Sequence, residues 1–293
     1  EVIFVVLIST ILALFGMYYF QFIIFLYPIL FIILGVRHGL KYTLISLLAS
    51  TALISLIVNI VLGMMLFVAF MPLTIIIINM IVKRKNPIET IIYSTITFLA
   101  SVLLVIFLIN INGVSIIGQL KMNITQTINN QVELLDQLNL TKEQIQEIKS
   151  LQKNYLEVVL AMIPSIIMIL SLVVSYLNYL VSTLFLRKLG YAVAYVPRFS
   201  NFKLPRNIFL GLGIMFFTTY LLARYKLFNS FDVIINLIVL TLFIFFTQGI
   251  SVIDYRLKKK KIRTLWRILM LLIILDLIPF IGILIIILGL FDA

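Results

Sequence analysis

The chain has no cysteine among its 293 residues, and charge, acid and histidine are scarce. Without thiols there are no disulfides, no thiolate nucleophile and no cysteine-bound metal. His38 is the single histidine and only 11 residues are Asp or Glu; no triad-like or two-metal constellation appears. No Gly-rich phosphate loop of Walker type occurs, so the chain does not hydrolyse nucleotide itself. These absences predict a protein that is not an enzyme and takes no cofactor or metal. His38, between Arg37 and Gly39, reads as a loop or capping residue and not as a metal ligand.

What is abundant is apolar length. The composition is 63% hydrophobic and 12% charged, with a mean hydropathy of +1.20. A bilayer core of about 30 Å takes roughly 20 apolar residues per helix. Nine segments approach that length: 2–20, 22–36, 42–61, 64–82, 88–110, 157–186, 207–223, 231–252 and 265–291. They are too long for barrel strands, and in hydrocarbon their backbones must be satisfied internally, which predicts helices. Tyr18, Tyr19 and Gln21 mark an interfacial turn between the first two. The expected fold is therefore all-α, a polytopic transmembrane bundle of eight to nine spans. The chain opens on Glu1, which implies further residues upstream, and segment 2–20 lacks the basic flank and cleavage site of a signal peptide.

The net charge of +12 does not point to nucleic acid, because the cations sit beside helix ends. They form blocks at Arg37/Lys41, Lys83–Lys85, Arg187/Lys188, Arg198/Lys203/Arg206 and Arg256 with Lys258, Lys259, Lys260 and Lys261. Alternating nine spans from a cytoplasmic N-terminus puts 17 of the 23 Lys and Arg on the inner side, as the positive-inside rule requires. The expected address is the cell membrane, with residues 113–156 outside and membrane lipid as a partner. The run Lys258–Lys261 is a candidate for anionic headgroups.

The division expected is 1–112 (helices one to five), 113–156 (a polar insertion) and 157–293 (helices six to nine). In the insertion, Ile124, Ile128, Val132, Leu135 and Leu138 follow a helical period. Thr141 to Gln144 has capping-box spacing. A helical hairpin is expected, its second arm continuous with the sixth span; its apolar edge either closes the hairpin or docks a partner or a second copy of the chain. The loop from Tyr195 to Arg206 mixes proline, aromatics and cations and reads as interfacial. Phe199, Phe202 and Arg206 are its candidate docking residues.

Asp276 is the sharpest single candidate for substrate or ion binding. It lies in an apolar run three residues before Pro279, and an acid at a helix centre costs about 2.5–3.5 kcal/mol on insertion scales. Small polar stripes add Asn59 with Thr51 and Ser55, Ser171 with Ser175, Asn178 and Ser182, and Asn236 with Thr247. Such residues either join helices or line a modest polar cavity.

Pro28, the Gly35-Val-Arg-His-Gly39 turn and Phe202-Lys-Leu-Pro205 resemble the YybS-like family of bacterial membrane proteins, itself similar to the S components of energy-coupling-factor transporters. The resemblance implies an S-component-like core in helices one to six, capture of a small molecule from outside, and a T component with ATPases as partner. Ser9 and Ala13 on the first helix would then be docking residues. Beside this stand two other readings: a scaffold or regulator that holds another membrane protein, and an ion-coupled carrier centred on Asp276.

Overall fold

A computed structural model describes residues 1–111, 115–136, 142–225 and 230–293. Among them are twelve α-helices and no strand. They are α1 (Val2–Tyr18), α2 (Pro28–His38), α3 (Leu40–Ile57), α4 (Ile60–Val82), α5 (Pro87–Ile111), α6 (Ile116–Asp136), α7 (Lys142–Ala161), α8 (Ile163–Lys188), α9 (Ile208–Arg224), α10 (Ser230–Lys259), α11 (Thr264–Asp276) and α12 (Ile278–Asp292). Short 3-10 helices occupy Gln21–Leu26 and Phe199–Asn201. Six segments are long and apolar enough to cross a membrane: 21–38, α3, α4, α5, α8 and 231–259. The apolar helices α1, α9 and α12 are shorter.

The expected turn between the first two segments lies at residues 19–20, but the second segment begins as a 3-10 helix and becomes α-helical only at Pro28. Gly39, at φ +93°, then reverses the chain into α3, a backbone angle that suits glycine. The insertion is helical in α6 and α7; Leu138 and Thr141 lie outside the described residues. The second arm runs on past residue 156 into the expected sixth span as far as Ala161, and the break falls inside that span. A turn at Met162 separates α7 from α8, where Pro164 brings no backbone donor.

The chain forms two compact units: 1–120 with 167–196, and 121–166 with 197–293. In the first, Tyr27, Phe31, Leu47, Ile54, Leu73, Ile77 and Tyr179 are fully or almost fully buried. Tyr27 donates its hydroxyl to Ser50 at 3.0 Å, and Ser50 is also 3.0 Å from the Thr10 hydroxyl. Phe70 stacks on Phe98 with centroids 5.5 Å apart. Between membrane helices close packing and such hydrogen bonds replace the hydrophobic drive. Outward faces stay apolar, as Ile92, Ile96, Leu103 and Phe107 of α5 show.

The second unit is organised on α10, against which α7, α9, α11, α12 and the 199–201 turn all pack. Where α10 meets α12 both sides are glycine. A Cβ on Gly289 would overlap the Phe245 carbonyl oxygen and lie 2.7 Å from the Gly249 nitrogen. A Cβ on Gly249 would overlap the Ile285 carbonyl in turn. The two backbones touch directly, as small residues allow in membrane bundles.

Candidate functional site

Two candidate asparagines repair proline breaks. In the 3-10 turn before Pro28, the Phe25 carbonyl would accept from residue 28, which has no N–H. Asn178 of α8 supplies the missing donor: its Nδ2 lies 2.7 Å from Phe25 O and 2.8 Å from Val174 O. Asn236 of α10 does the same for the α7–α8 break. Its Oδ1 accepts from Ser165 N at 2.7 Å, and its Nδ2 donates to Ala161 O at 2.6 Å and to Asp232 O. The side chain thus fills the place of the 161–165 helical bond.

Asn59 is not on the α3 stripe, because α3 ends at Ile57. It caps α4, accepting from Val61 N at 2.8 Å, the role asparagine favours at helix starts. Ser171 is buried and bonds the Ile167 carbonyl at 2.8 Å. Ser175 is buried too, but its hydroxyl has no partner among the described residues, nor do Ser9 Oγ, Asn178 Oδ1 and Ser182 Oγ. Ser9 and Ala13 are fully buried within their own unit and so offer no docking face; the exposed side of α1 carries Ile3, Phe4 and Ile11. Asp276 ends α11 and Leu277 forms the turn into α12, so the chain is broken where Pro279 predicts. The Asp276 side chain lies outside the described residues.

The loop residues assemble with others that sequence reasoning passed over. Ser251 of α10 shares its hydroxyl between the carbonyls of Phe199 (2.8 Å) and Phe202 (2.9 Å). Gln248, one turn earlier and fully buried, accepts from Leu204 N at 3.2 Å and donates to Asp292 Oδ2 at 2.6 Å. One amide therefore ties both the loop and the end of α12 to α10. The Phe199 and Phe202 rings lie parallel at 6.3 Å, and Phe202 stays exposed. Around this clamp Ser200, Asn201, Lys203, Tyr255 and Asp292 line a cleft of about 250 Å³.

Beside it, Arg267 holds Asp254 through Nε at 2.8 Å and through Nη2. Both side chains are mostly shielded, so the pair is held by geometry and not by a passing surface contact. The α10 end then carries Arg256, Lys258 and Lys259, followed by Lys260 and Lys261. Lys203, Arg206, Lys259, Lys260 and Lys261 are exposed, Lys258 less so. Gln248, Ser251 and Asp254 could have been suspected from sequence: polar groups inside an apolar helix ask for partners.

The arrangement is a pinned, cation-rich loop on one end of an apolar helix bundle. No curated protein and no solved structure matches the chain. A family model described as "Predicted membrane protein (DUF2232)" matches residues 2–293. The apolar helices and this match over nearly the whole length agree, and the chain belongs to that family of integral membrane proteins.

Proposed function

We propose that this is a multi-pass, non-enzymatic protein of the cell membrane, acting as a scaffold or regulator through a cytoplasmic face that binds anionic headgroups. The observation that carries this reading is the double clamp by Ser251 and Gln248. It presets the loop bearing Arg198, Lys203 and Arg206 on the helix that ends in Arg256 and Lys258–Lys261. The positive-inside rule assigns both to the inner side. A preset surface loses less entropy on binding than a free loop. Each juxtamembrane cation contributes about 1 kcal/mol toward anionic lipid, within a Debye length of about 8 Å at physiological salt.

The test is lipid retention in nanodiscs of mixed phosphatidylglycerol and phosphatidylcholine. Replacing Lys258, Lys259, Lys260 and Lys261 by Gln should lower the enrichment of the anionic lipid, with a salt dependence that flattens. Enrichment unchanged at every salt concentration would reject the reading.

A second reading, solute capture in the manner of S components, is favoured by a separate observation. In the first unit four buried polar atoms, on Ser9, Ser175, Asn178 and Ser182, have no partner among the described residues. Unpaired buried groups cost about 1–3 kcal/mol each, which a small polar solute could relieve. The resemblance to the YybS-like family belongs with this reading, as does a T component with ATPases as partner. Native mass spectrometry from the source membrane separates the two. A small-molecule adduct lost in Ser175→Ala/Ser182→Ala supports capture; retained lipid without such an adduct counts against it.

A further inference from the structure

The last apolar stretch, 265–291, has the length of one crossing but is two helices. At 1.5 Å per residue α11 is about 20 Å long and α12 about 22 Å, each short of a core of about 30 Å. Their two outer ends are anchored close together. Arg267, in the first turn of α11, binds Asp254 of α10. Asp292, at the end of α12, binds Gln248 of the same helix. Residues 254 and 248 are separated by about 9 Å of helical rise. A segment that crossed the bilayer would hold its ends about 30 Å apart.

Asp292 also shares one cleft with Ser200, Lys203, Ser251 and Tyr255, so α12 finishes at the level of the 197–206 loop. The glycine contact sets the register. Gly289 meets the backbone at Phe245 and Gly249, three residues before Asp292, and with the Gly249–Ile285 contact this runs α12 parallel to α10, its start at Ile278 about 16 Å back from Gly289.

We infer that α11 and α12 form a re-entrant hairpin, entering and leaving the membrane on the face that carries the 197–206 loop and the Arg256–Lys261 run. The turn Asp276–Pro279 is its tip, held at bilayer depth. Leu277, Ile278 and Phe280 at the tip are apolar and exposed, as side chains that face lipid are. The described residues then cross eight times, by α1, segment 21–38, α3, α4, α5, α8, α9 and α10. Residue 293 lies on the same side as Lys260, where nine crossings would put it on the other.

The absence of cysteine makes the test direct, since any introduced thiol is the sole one. Phe291→Cys, Ala293→Cys and Lys260→Cys are prepared singly in the full chain. Sealed vesicles of each orientation are treated with a membrane-impermeant maleimide, then opened in detergent and probed with a second reagent. Thiols at 291 and 293 should be blocked from the same side as 260, with complete loss of the second label. Blocking from the opposite side overturns the inference. So does protection from both sides, because α12 would then end inside the bilayer. Phe280→Cys, near the tip, should resist both sides; blocking from the face opposite Lys260 also refutes the hairpin.

Discussion

Gly289→Ala and Gly213→Ala are the same chemical change with opposite expected signs. On Gly289 the new methyl lies 2.7 Å from Gly249 N and 2.9 Å from Phe245 C, with the Phe245 carbonyl oxygen closer still. Carbon contacts are optimal at about 3.5–4.0 Å, so relieving the nearest atom, the Phe245 carbonyl oxygen, needs α12 to retreat from α10 by more than about 1 Å. The obstacles are backbone atoms and no rotamer change relieves them. A gap of that size forfeits about half or more of each dispersion well along the crossing. Overpacking in tight cores costs about 1–3 kcal/mol, and this contact should fall in the upper half of that range. At Gly213 of α9 no heavy atom lies within 4 Å. There alanine only restricts the unfolded chain and favours the helix, a gain of up to about 1 kcal/mol. Unfolding by graded SDS in mixed micelles would measure both. A Gly289→Ala protein as stable as the parent, with Gln248 and Asp292 still coupled in a double-mutant cycle, would refute the direct backbone contact.

Other expectations follow from the same contacts. Arg267→Gln should destabilise by about 3–5 kcal/mol by stranding the shielded Asp254 carboxylate, while Asp254→Leu/Arg267→Met should recover most of that loss in the same titration. Asn178→Leu should cost about 1–3 kcal/mol because the Phe25 carbonyl loses its donor, and Asn236→Leu should behave likewise at the α7–α8 break; hydrogen exchange near Phe25 or Ser165 that stays at parental rates would contradict this. The His38 hydrogen bond and the Arg37 charge hold the Glu1 carboxyl below its usual 4.5. A depressed carboxylate stabilises above the unfolded value and loses that contribution as pH falls through the folded one. Wild type should therefore exceed Glu1→Gln in thermal midpoint near neutral pH, with the difference gone once the carboxyl is protonated; a difference that persists in acid would show another origin.

The helices themselves were legible, because apolar length and the positions of cations depend on neighbours in sequence. Segment 88–110 became α5 at Pro87–Ile111, and 207–223 became α9 at Ile208–Arg224. The breaks were harder. Pro28, Pro164 and Pro279 each sit in an apolar run, yet one follows a 3-10 turn, one parts α7 from α8, and one splits the final segment. What the first two breaks need comes from far away: Asn178 is 153 residues from Phe25, and Asn236 is 75 from Ala161. Periodicity reads faces of a continuous helix, so it assigned Asn59 to a helix that had already ended at Ile57. The loop candidates Phe199 and Phe202 were found from composition. Ser251 and Gln248, which hold the loop, had no local signal beyond being polar in an apolar helix.

The glycine contact also has a consequence for the order of synthesis. Gly249 leaves the ribosome 40 residues ahead of Gly289. During that interval α10 lacks α12 on its bare backbone stripe, and Gln248 beside it lacks Asp292. A chain truncated after Lys261 and released into the membrane would therefore present a narrow polar furrow to the lipid, filled only where the final hairpin is present. Membrane quality control would distinguish such a truncated chain from the finished protein by that furrow alone.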